Sequence, residues 1–197
     1  MIRKNVINCN LIQLEKSNNS IFVSFMSHFI PERAVCPICK CHGNCRIHGY
    51  YHRHLIDMIN GQPTSCEIRI MRLKCSCGHT HAVLCDPIIP YDSHSLTFIL
   101  HVLTEHFLRL HTIERICEDA QISIKTFYKW LRLYQEHRRE WQGLLTSMES
   151  DIRSSLDFIL SADPFSHFAR FFFQRTGISF LQSHANPSHS PRRSVPP

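Results

Sequence analysis

Apolar and polar positions in the first half of the chain alternate as β-strands require. Residues 66–74 follow the every-second-residue period of a strand, and residues 46–59 form a second candidate strand. Asn60-Gly61-Gln62-Pro63 lies between them and is typical of a turn. A further short strand is predicted at Thr80–Leu84. The pattern therefore predicts a β-hairpin followed by a third strand.

After these strands the apolar residues recur at helical spacing. Ser95 is the predicted N-cap of a first helix, Thr112 caps a short second helix, and Ser123 caps a third helix from residue 124 to about residue 139. The apolar stripe of the first helix consists of Leu96, Ile99, Leu100, Leu103, Phe107 and Leu110. A short helix, a tight turn and a longer helix predict a helix-turn-helix.

Composition excludes a wholly disordered chain and a membrane-spanning one. The chain is 43% hydrophobic and 19% charged, which is close to the average of globular proteins. It holds no apolar run long enough for a spanning helix, and its first residues lack the apolar stretch of a signal peptide. We therefore expect a cytoplasmic protein with no membrane partner.

Cysteine and histidine are the unusual residues, with ten and fifteen copies. Four cysteines lie within residues 36–45, and two more lie at 75 and 77. Without a secretion signal, this many cysteines favour metal binding over disulfides. The remaining four cysteines, at positions 9, 66, 85 and 117, are interpreted as ordinary thiols.

Two cysteine pairs flank the predicted hairpin and suggest one metal site. Cys36 and Cys39 are separated by two residues, and Cys75 and Cys77 by one, with a glycine following. Four thiolates around tetrahedral Zn²⁺ leave no open position, so the predicted site is structural and the β region is a zinc ribbon. Two alternatives stay open. In the first alternative, Cys75 and Cys77 do not bind a metal and their spacing is incidental. In the second, one of the four ligands is replaced by Cys41, His42 or Cys45.

The third helix is the predicted recognition helix of the helix-turn-helix, with double-stranded DNA as partner. Its outward side chains are expected to meet base edges and phosphates in the major groove. These predicted DNA-binding residues are Ile124, Lys125, Thr126, Tyr128, Lys129 and Arg132. The alternative is an ordinary helical hairpin with solvated lysines. The net charge of +6 permits nucleic acid, and residues 31–85 hold seven basic and three acidic side chains.

The predicted fold class is α+β, a small β zinc ribbon followed by an all-α helix-turn-helix bundle. Seven phenylalanines between positions 158 and 180 are interpreted as core, with a dimer face as the alternative. The N-terminal segment contains a strand-like run at 21–25, and the last segment has the composition of a disordered tail. The predicted segments are residues 1–30 (N-terminal), 31–91 (zinc ribbon), 92–140 (helix-turn-helix), 141–181 (C-terminal helices) and 182–197 (tail).

The order of these motifs carries a resemblance. Cys36-Pro-Ile-Cys39, His48-Gly-Tyr-Tyr51 and Arg72-Leu-Lys-Cys75-Ser-Cys77-Gly78, followed by a helix-turn-helix, resemble the N-terminal DNA-binding portion of bacterial insertion-sequence transposases. The chain looks most like a family of short uncharacterised bacterial proteins that carry a zinc ribbon followed by a helix-turn-helix and have no nuclease core. The resemblance covers roughly residues 31–180 and implies DNA binding. The one-residue spacer of the second cysteine pair departs from the family pattern.

We do not expect an enzyme or a small-molecule substrate. No phosphate loop, nucleophile elbow or paired-carboxylate site occurs in the sequence, and the residues after the helix-turn-helix have the pattern of helices rather than of a nuclease sheet. Two alternative functions remain. One is an interaction module whose zinc ribbon docks on a transposase or transcription partner, and the other is an inactive transposase remnant. A homodimer is a further candidate assembly.

Overall fold

A computed structural model describes residues 2–3, 18–85, 87–145, 172–173 and 176–183. The fold is mixed α+β, with a three-stranded antiparallel sheet followed by helices. The elements are β1 (Ile2–Arg3), α1 (Asn18–His28), a 3₁₀ turn (Pro31–Arg33), β2 (Cys45–Ile59), β3 (Gln62–Cys75), β4 (Thr80–Leu84), α2 (Leu96–Phe107), α3 (Ile113–Asp119) and α4 (Ile124–Leu145). The predicted helices within 146–171 and the tail beyond 183 lie outside the described residues.

The sheet is built on the predicted hairpin. β2 and β3 pair antiparallel from Cys45–Cys75 to Ile59–Gln62, β4 adds to β3, and β1 pairs parallel with β4. Asn60 and Gly61 form the two-residue turn with φ of 51° and 73°. Both angles lie in the left-handed region, as the favoured hairpin turns require. β2 begins one residue before its predicted start. β3 begins four residues earlier than predicted, so that Gln62 and Pro63 of the predicted turn belong to the strand, and it ends one residue later.

The N-terminal prediction of a strand at 21–25 is wrong, because these residues lie in helix α1. The run is rich in aromatic and β-branched residues, which favours a strand locally. Phe22, Phe25, Met26 and Phe29, however, fall on one helical face and pack on the sheet. Tertiary burial therefore overrides the local propensity.

The three predicted N-caps of the helical region are confirmed. The side chain of Ser95 accepts a hydrogen bond from the backbone of Phe98 at 3.0 Å, and Thr112 and Ser123 cap α3 and α4 in the same way. The predicted end of the third helix near residue 139 is wrong, since α4 continues to Leu145. The sequence at 138–141 holds no helix breaker, so the helix passes through the predicted boundary.

The helical core encloses Trp130 and two of the seven C-terminal phenylalanines. Phe172 and Phe180 are buried and their rings meet at 5.7 Å, which supports the interpretation of those two as core. Gly177 has φ of 72°, and its backbone N–H donates to the carbonyl of Phe173 at 2.9 Å, as expected of a helix C-cap. Among the helices described, none has both the length and the apolar character needed to cross a membrane.

Polar contacts join the hairpin to the helices and set their relative position. Ile56 donates its backbone N–H to Ser93 at 2.7 Å and accepts one from Ser95 at 2.9 Å. The Ser95 hydroxyl also donates to the buried carboxylate of Asp57 at 2.7 Å. Arg53 donates to the carbonyl of Ile89 at 2.9 Å. The first turn of α2 is thus held directly on strand β2.

Candidate metal centre and the surface of helix α4

The first cysteine pair lies in a compact turn before β2. The backbone N–H of Lys40 donates to the carbonyl of Cys36 at 2.9 Å, and that of Cys36 donates to the carbonyl of Cys41 at 3.1 Å. Lys40 takes a left-handed φ of 62°, which reverses the chain directly after Cys39. The turn holds Cys36 buried and Cys39 partly buried on the same side.

The second pair lies at the turn between β3 and β4. Gly78 has φ of 89° and donates its N–H to the carbonyl of Cys75 at 2.9 Å, as the sequence predicted for a tight turn at this glycine. The N–H of Cys75 donates to the carbonyl of His79 at 2.9 Å. This geometry lets a one-residue spacer present both sulfurs to one point.

The four cysteines of the two pairs come together. The ligand atoms of Cys36, Cys39, Cys75 and Cys77 all lie within 4.8 Å of one another, so the cluster could hold a metal ion. The Sγ atoms of Cys36 and Cys77 are 3.7 Å apart, and those of Cys39 and Cys75 are 3.6 Å apart. Each close contact joins one turn to the other. The cluster therefore ties together two chain segments that are distant in sequence.

The thiols of this cluster affect each other's ionisation. Hydrogen bonding from the backbone of Cys77 is the largest influence on Cys75 and, with bonds from neighbouring thiols, lowers its pKa to about 6. Burial, together with a hydrogen bond to Cys75, raises the pKa of Cys45 to about 11. A backbone hydrogen bond from His79 acts to lower the pKa of Cys77, but burial and bonds with the neighbouring thiols outweigh it and raise that pKa to about 12. The negative charge is thus favoured at Cys75, with neutral thiols at Cys77 and at the adjacent Cys45. A thiolate is the form that binds a metal ion.

The three alternative ligands occupy different positions. Cys41 is exposed, and its thiol donates toward the carbonyl of Cys39 at 3.6 Å. His42 is exposed and pairs through its backbone with Val35. Cys45 is buried and lies opposite Cys75 in the strand register, next to the cluster but not among its four members. Of the three, only Cys45 is packed against the site.

His81 belongs to the surroundings of the cluster and was not singled out by the sequence. Its Nε2 lies 3.3 Å from Sγ of Cys36, and it is only 2% exposed. Burial lowers the pKa of His81 to about 4, so its ring is neutral at pH 7. A neutral ring can donate one N–H to the sulfur. The sequence did contain one signal for this histidine. In the predicted strand Thr80–Leu84, alternate residues share a face, and His81 is buried on the same side as Val83.

Helices α3 and α4 are joined by a four-residue connection. Ala120 is buried at the end of α3, Gln121 takes a left-handed φ of 53°, and Ile122 packs against the helical core. Ser123 then caps α4, and its hydroxyl lies 2.8 Å from that of Thr126. The start of α4 is therefore rigidly positioned by the connection.

The six predicted DNA-binding residues do not share one environment. Ile124, Lys125, Tyr128 and Arg132 are exposed, with Ile124 at 47% and Tyr128 at 52%. Thr126 and Lys129 are partly buried. Four of the six residues are thus available on the surface, and the other two have contacts within the fold.

Lys129 is tied to the loop before α2. Its Nζ lies 3.4 Å from Oδ2 of Asp92, which also accepts a hydrogen bond from the Trp130 indole at 3.4 Å. Burial acts to raise the pKa of Asp92, but bonds from the side chain and backbone of His94 outweigh it. With the charge of Lys129, they lower the pKa to about 2. Asp92 therefore stays ionised and connects α4 to the loop.

The cysteine cluster and the start of α4 fall within a stretch that matches a known protein family. Residues 36–130 match the domain of unknown function DUF6431. The match begins at Cys36 and ends at Trp130, so it spans the four clustered cysteines, the hairpin, α2, α3 and the exposed start of α4. No curated protein and no solved structure matches the chain. The four clustered cysteines and five of the six predicted DNA-binding residues thus lie within the matched stretch, and Arg132 lies just beyond it.

Proposed function

We propose that this chain is a zinc-stabilised DNA-binding protein related to the N-terminal regions of transposases, without a nuclease core. The observation that carries the proposal is the exposed start of α4. This helix follows a short helix and a tight turn, and it offers Lys125, Tyr128 and Arg132 to the solvent. Such side chains at the start of a second helix are suited to contact phosphates and base edges in a major groove.

The charges of α3 agree with this orientation. Arg115 on α3 forms ion pairs within its own helix, with Asp119 at 2.9 Å and Glu118 at 4.0 Å. The positive charge of Arg115 is therefore neutralised by acidic side chains of the same helix. In a helix-turn-helix the second helix carries the base contacts, so a net acidic α3 beside a basic α4 leaves the positive charge on the helix proposed to enter the groove.

Zinc is the metal that the cysteine cluster fits best. A tetrahedral ion with bonds of about 2.3 Å to sulfur separates its ligands by about 3.8 Å. Two of the Sγ–Sγ separations, 3.7 Å and 3.6 Å, are close to that value. Four thiolates fill the tetrahedron, so we assign the ion a structural role with Cys36, Cys39, Cys75 and Cys77 as ligands. An iron–sulfur centre is the competing occupant of a four-cysteine site.

The function is tested by measuring duplex binding against salt. Purified protein is titrated into fluorescent DNA duplexes, first a random pool and then the selected sequence. We expect affinity that falls steeply with salt, and a marked loss in Lys125→Ala with Arg132→Ala. The matched control is Arg115→Ala, an exposed arginine on α3 that, like Arg132 with Glu136, forms an ion pair within its own helix. Absence of duplex binding by the wild-type protein would refute the proposal.

Two exposed leucines favour a second candidate function. Leu108 and Leu110, in the connection between α2 and α3, are both 58% exposed. Adjacent exposed leucines are suited to a protein contact, which fits an interaction module that docks on a transposase or on a second copy of the chain. Light scattering of the wild type and of Leu108→Ser with Leu110→Ser separates a homodimer from a monomer. A monomeric wild type removes the homodimer alternative.

A further inference from the structure

The β2–β3 hairpin presents a basic face that the proposed recognition helix does not include. In the strand register, Arg46 lies opposite Lys74 and Gly49 opposite Arg72. Paired residues of an antiparallel ladder share a face, and so do residues two apart on one strand. The hydrogen bond from Arg72 to Thr80 at 3.3 Å agrees with this, because Thr80 pairs with Lys74. We call Arg46, Gly49, Tyr51, Arg53, Arg72 and Lys74 the basic face.

The three exposed cations of this face form no ion pair with an acidic side chain among the described residues. Arg46, Arg72 and Lys74 are all exposed, and between positions 45–55 and 66–75, which the structure describes in full, the face holds no acidic residue. Like charges directly opposite each other, as in the Arg46–Lys74 pair, destabilise a sheet. An anionic ligand would remove this repulsion, since it would lie between the cations.

The opposite face of the same hairpin provides the contrast. There His52 lies 3.3 Å from the carboxylate of Glu67, and the guanidinium of Arg69 stacks 3.9 Å above the ring of Tyr50. Those charged groups already have partners within the hairpin. Within the described part of the hairpin, the arginines and lysine without an acidic partner or an aromatic ring are therefore concentrated on one side of the sheet.

Aromatic side chains lie among the cations of the basic face. Tyr51 is 38% exposed, and Tyr91, in the loop before α2, is 64% exposed. Burial raises the pKa of Tyr51, and the charges of Arg53 and Arg72 act against that rise, so the three side chains lie close together. Tyrosine hydroxyls commonly donate to phosphate oxygens. The face thus combines cations and hydroxyl donors, the groups that bind a phosphate backbone.

The loop before α2 connects the basic face to helix α4. Tyr91 interacts electrostatically with Tyr51 and is followed in the chain by Asp92. Asp92 in turn holds Lys129 of α4 at 3.4 Å. The loop before α2 therefore links Tyr51 of the basic face, through Tyr91 and Asp92, to Lys129 of α4.

We propose that the basic face of the hairpin binds the phosphate backbone of the same DNA duplex that α4 enters, with Arg46, Arg72 and Lys74 as the phosphate-contacting residues. This inference rests on the proposed DNA-binding function. Arg72 and Lys74 are two residues apart on β3, about 7 Å along the strand, so they form a row of cations. Such contacts hold the protein on DNA without reading sequence.

Gly49 supplies a sharp test, because it lies within this face and has room for a side chain. A Cβ placed on Gly49 meets no other atom within 4 Å, so a substitution there changes charge without a clash. Gly49→Glu places a carboxylate opposite Arg72, and Gly49→Gln is its neutral control of the same size. In duplex titrations we expect Gly49→Glu to bind roughly tenfold more weakly than Gly49→Gln, in line with one to two lost phosphate contacts.

Removal of the cations tests the same surface through the salt dependence. The triple variant Arg46→Ala, Arg72→Ala, Lys74→Ala should bind all duplex sequences more weakly by a similar factor. Its slope of log affinity against log salt should fall by about 0.9 for each phosphate contact removed. The matched control is Arg69→Ala, on the opposite face. Arg46→Lys with Arg72→Lys should retain binding, and metal content with thermal unfolding establishes that each variant is folded.

The outcomes separate this inference from the function on which it rests. Duplex binding that is intact in the triple variant but lost in Lys125→Ala with Arg132→Ala overturns the basic face and leaves the proposed function standing. The basic face is likewise overturned if the lysine-for-arginine variant loses as much affinity as the alanine variant. The basic face is also overturned as a duplex-binding surface if the triple variant loses affinity only for a polyglutamate probe or for single-stranded RNA and binds duplex DNA normally. A wild-type protein that binds no duplex overturns both.

Discussion

The buried carboxylate of Asp92 provides the most direct quantitative prediction, because it joins α4 to the loop before α2. Asp92→Asn keeps the shape of the side chain and removes its charge. The wild-type carboxylate accepts hydrogen bonds from the backbone and ring of His94, both at 3.1 Å, and from Lys129 and Trp130 at 3.4 Å. The variant loses the charge that strengthens each of these bonds.

The magnitude follows from the pKa. Folding lowers the pKa of Asp92 from 3.8 to about 2. At about 1.4 kcal/mol for each pKa unit, the ionised carboxylate contributes about 2 kcal/mol to the free energy of unfolding at pH 7. A lowered pKa stabilises the fold above the unfolded value. The contribution should therefore be complete above about pH 5 and should disappear as the pH falls toward about 2.

The assay is urea unfolding of the wild type and Asp92→Asn, followed by tryptophan fluorescence at several pH values. Both proteins carry the same cysteine cluster, so metal loss in acid affects them equally and the difference isolates the carboxylate. Glu67→Gln is the control, since the side chain of Glu67 is 55% exposed in its pair with His52 and should change stability by less than about 0.5 kcal/mol. A difference near zero at pH 7, or one that does not change with pH, would refute the reasoning.

Further predictions concern the metal centre, the α2 cap and the hairpin turn. Cys36→Ser and Cys75→Ser should lose the bound metal, measured by elemental analysis, whereas the exposed Cys41→Ser should retain about one ion per chain. His81→Phe should weaken metal affinity about tenfold or more in a chelator competition, because the ring lies 3.3 Å from the Cys36 sulfur; unchanged affinity would contradict this role. Ser95→Ala should cost about 2 kcal/mol in urea unfolding, since the buried hydroxyl caps α2 and bonds Asp57, while the exposed cap variant Ser123→Ala should cost about 1 kcal/mol. Gly61→Ala should lower stability by about 1 kcal/mol because of its φ of 73°, and an unchanged melting curve would argue against the observed turn.

Local signals in the sequence were sufficient for much of the fold. The alternation of residues 66–74, the Asn60-Gly61 turn and strand Thr80–Leu84 were predicted, and so were the caps at Ser95, Thr112 and Ser123. These features depend on which residue types occupy a few adjacent positions, so they can be predicted directly from the sequence. The pairing of two short cysteine motifs also follows from spacing, since each motif places two sulfurs on one side of a turn.

Features that depend on distant contacts were not accessible in the same way. The run at 21–25 has strand-like residues, and only its burial against the sheet makes it the helix α1. Lys129 looks like a free recognition-helix lysine, yet Asp92, 37 residues earlier, holds it. His81 and Cys45 lie at the cysteine cluster because β2 and β4 flank β3 in the sheet. The spacing of residues along the chain does not predict this strand order.

The sequence by itself determined the hairpin, the third strand, the caps of three helices and the four-cysteine pattern, because each of these arises from short-range rules of backbone and side-chain geometry. The tertiary structure decided which residues share a surface. A register shift between Ile47 and Gly49 moves the later residues of β2 to the other side of the sheet. Arg46 therefore shares its face with Tyr51 and Arg53 rather than with Tyr50 and His52, and a one-residue slip of this kind changes every side chain that follows.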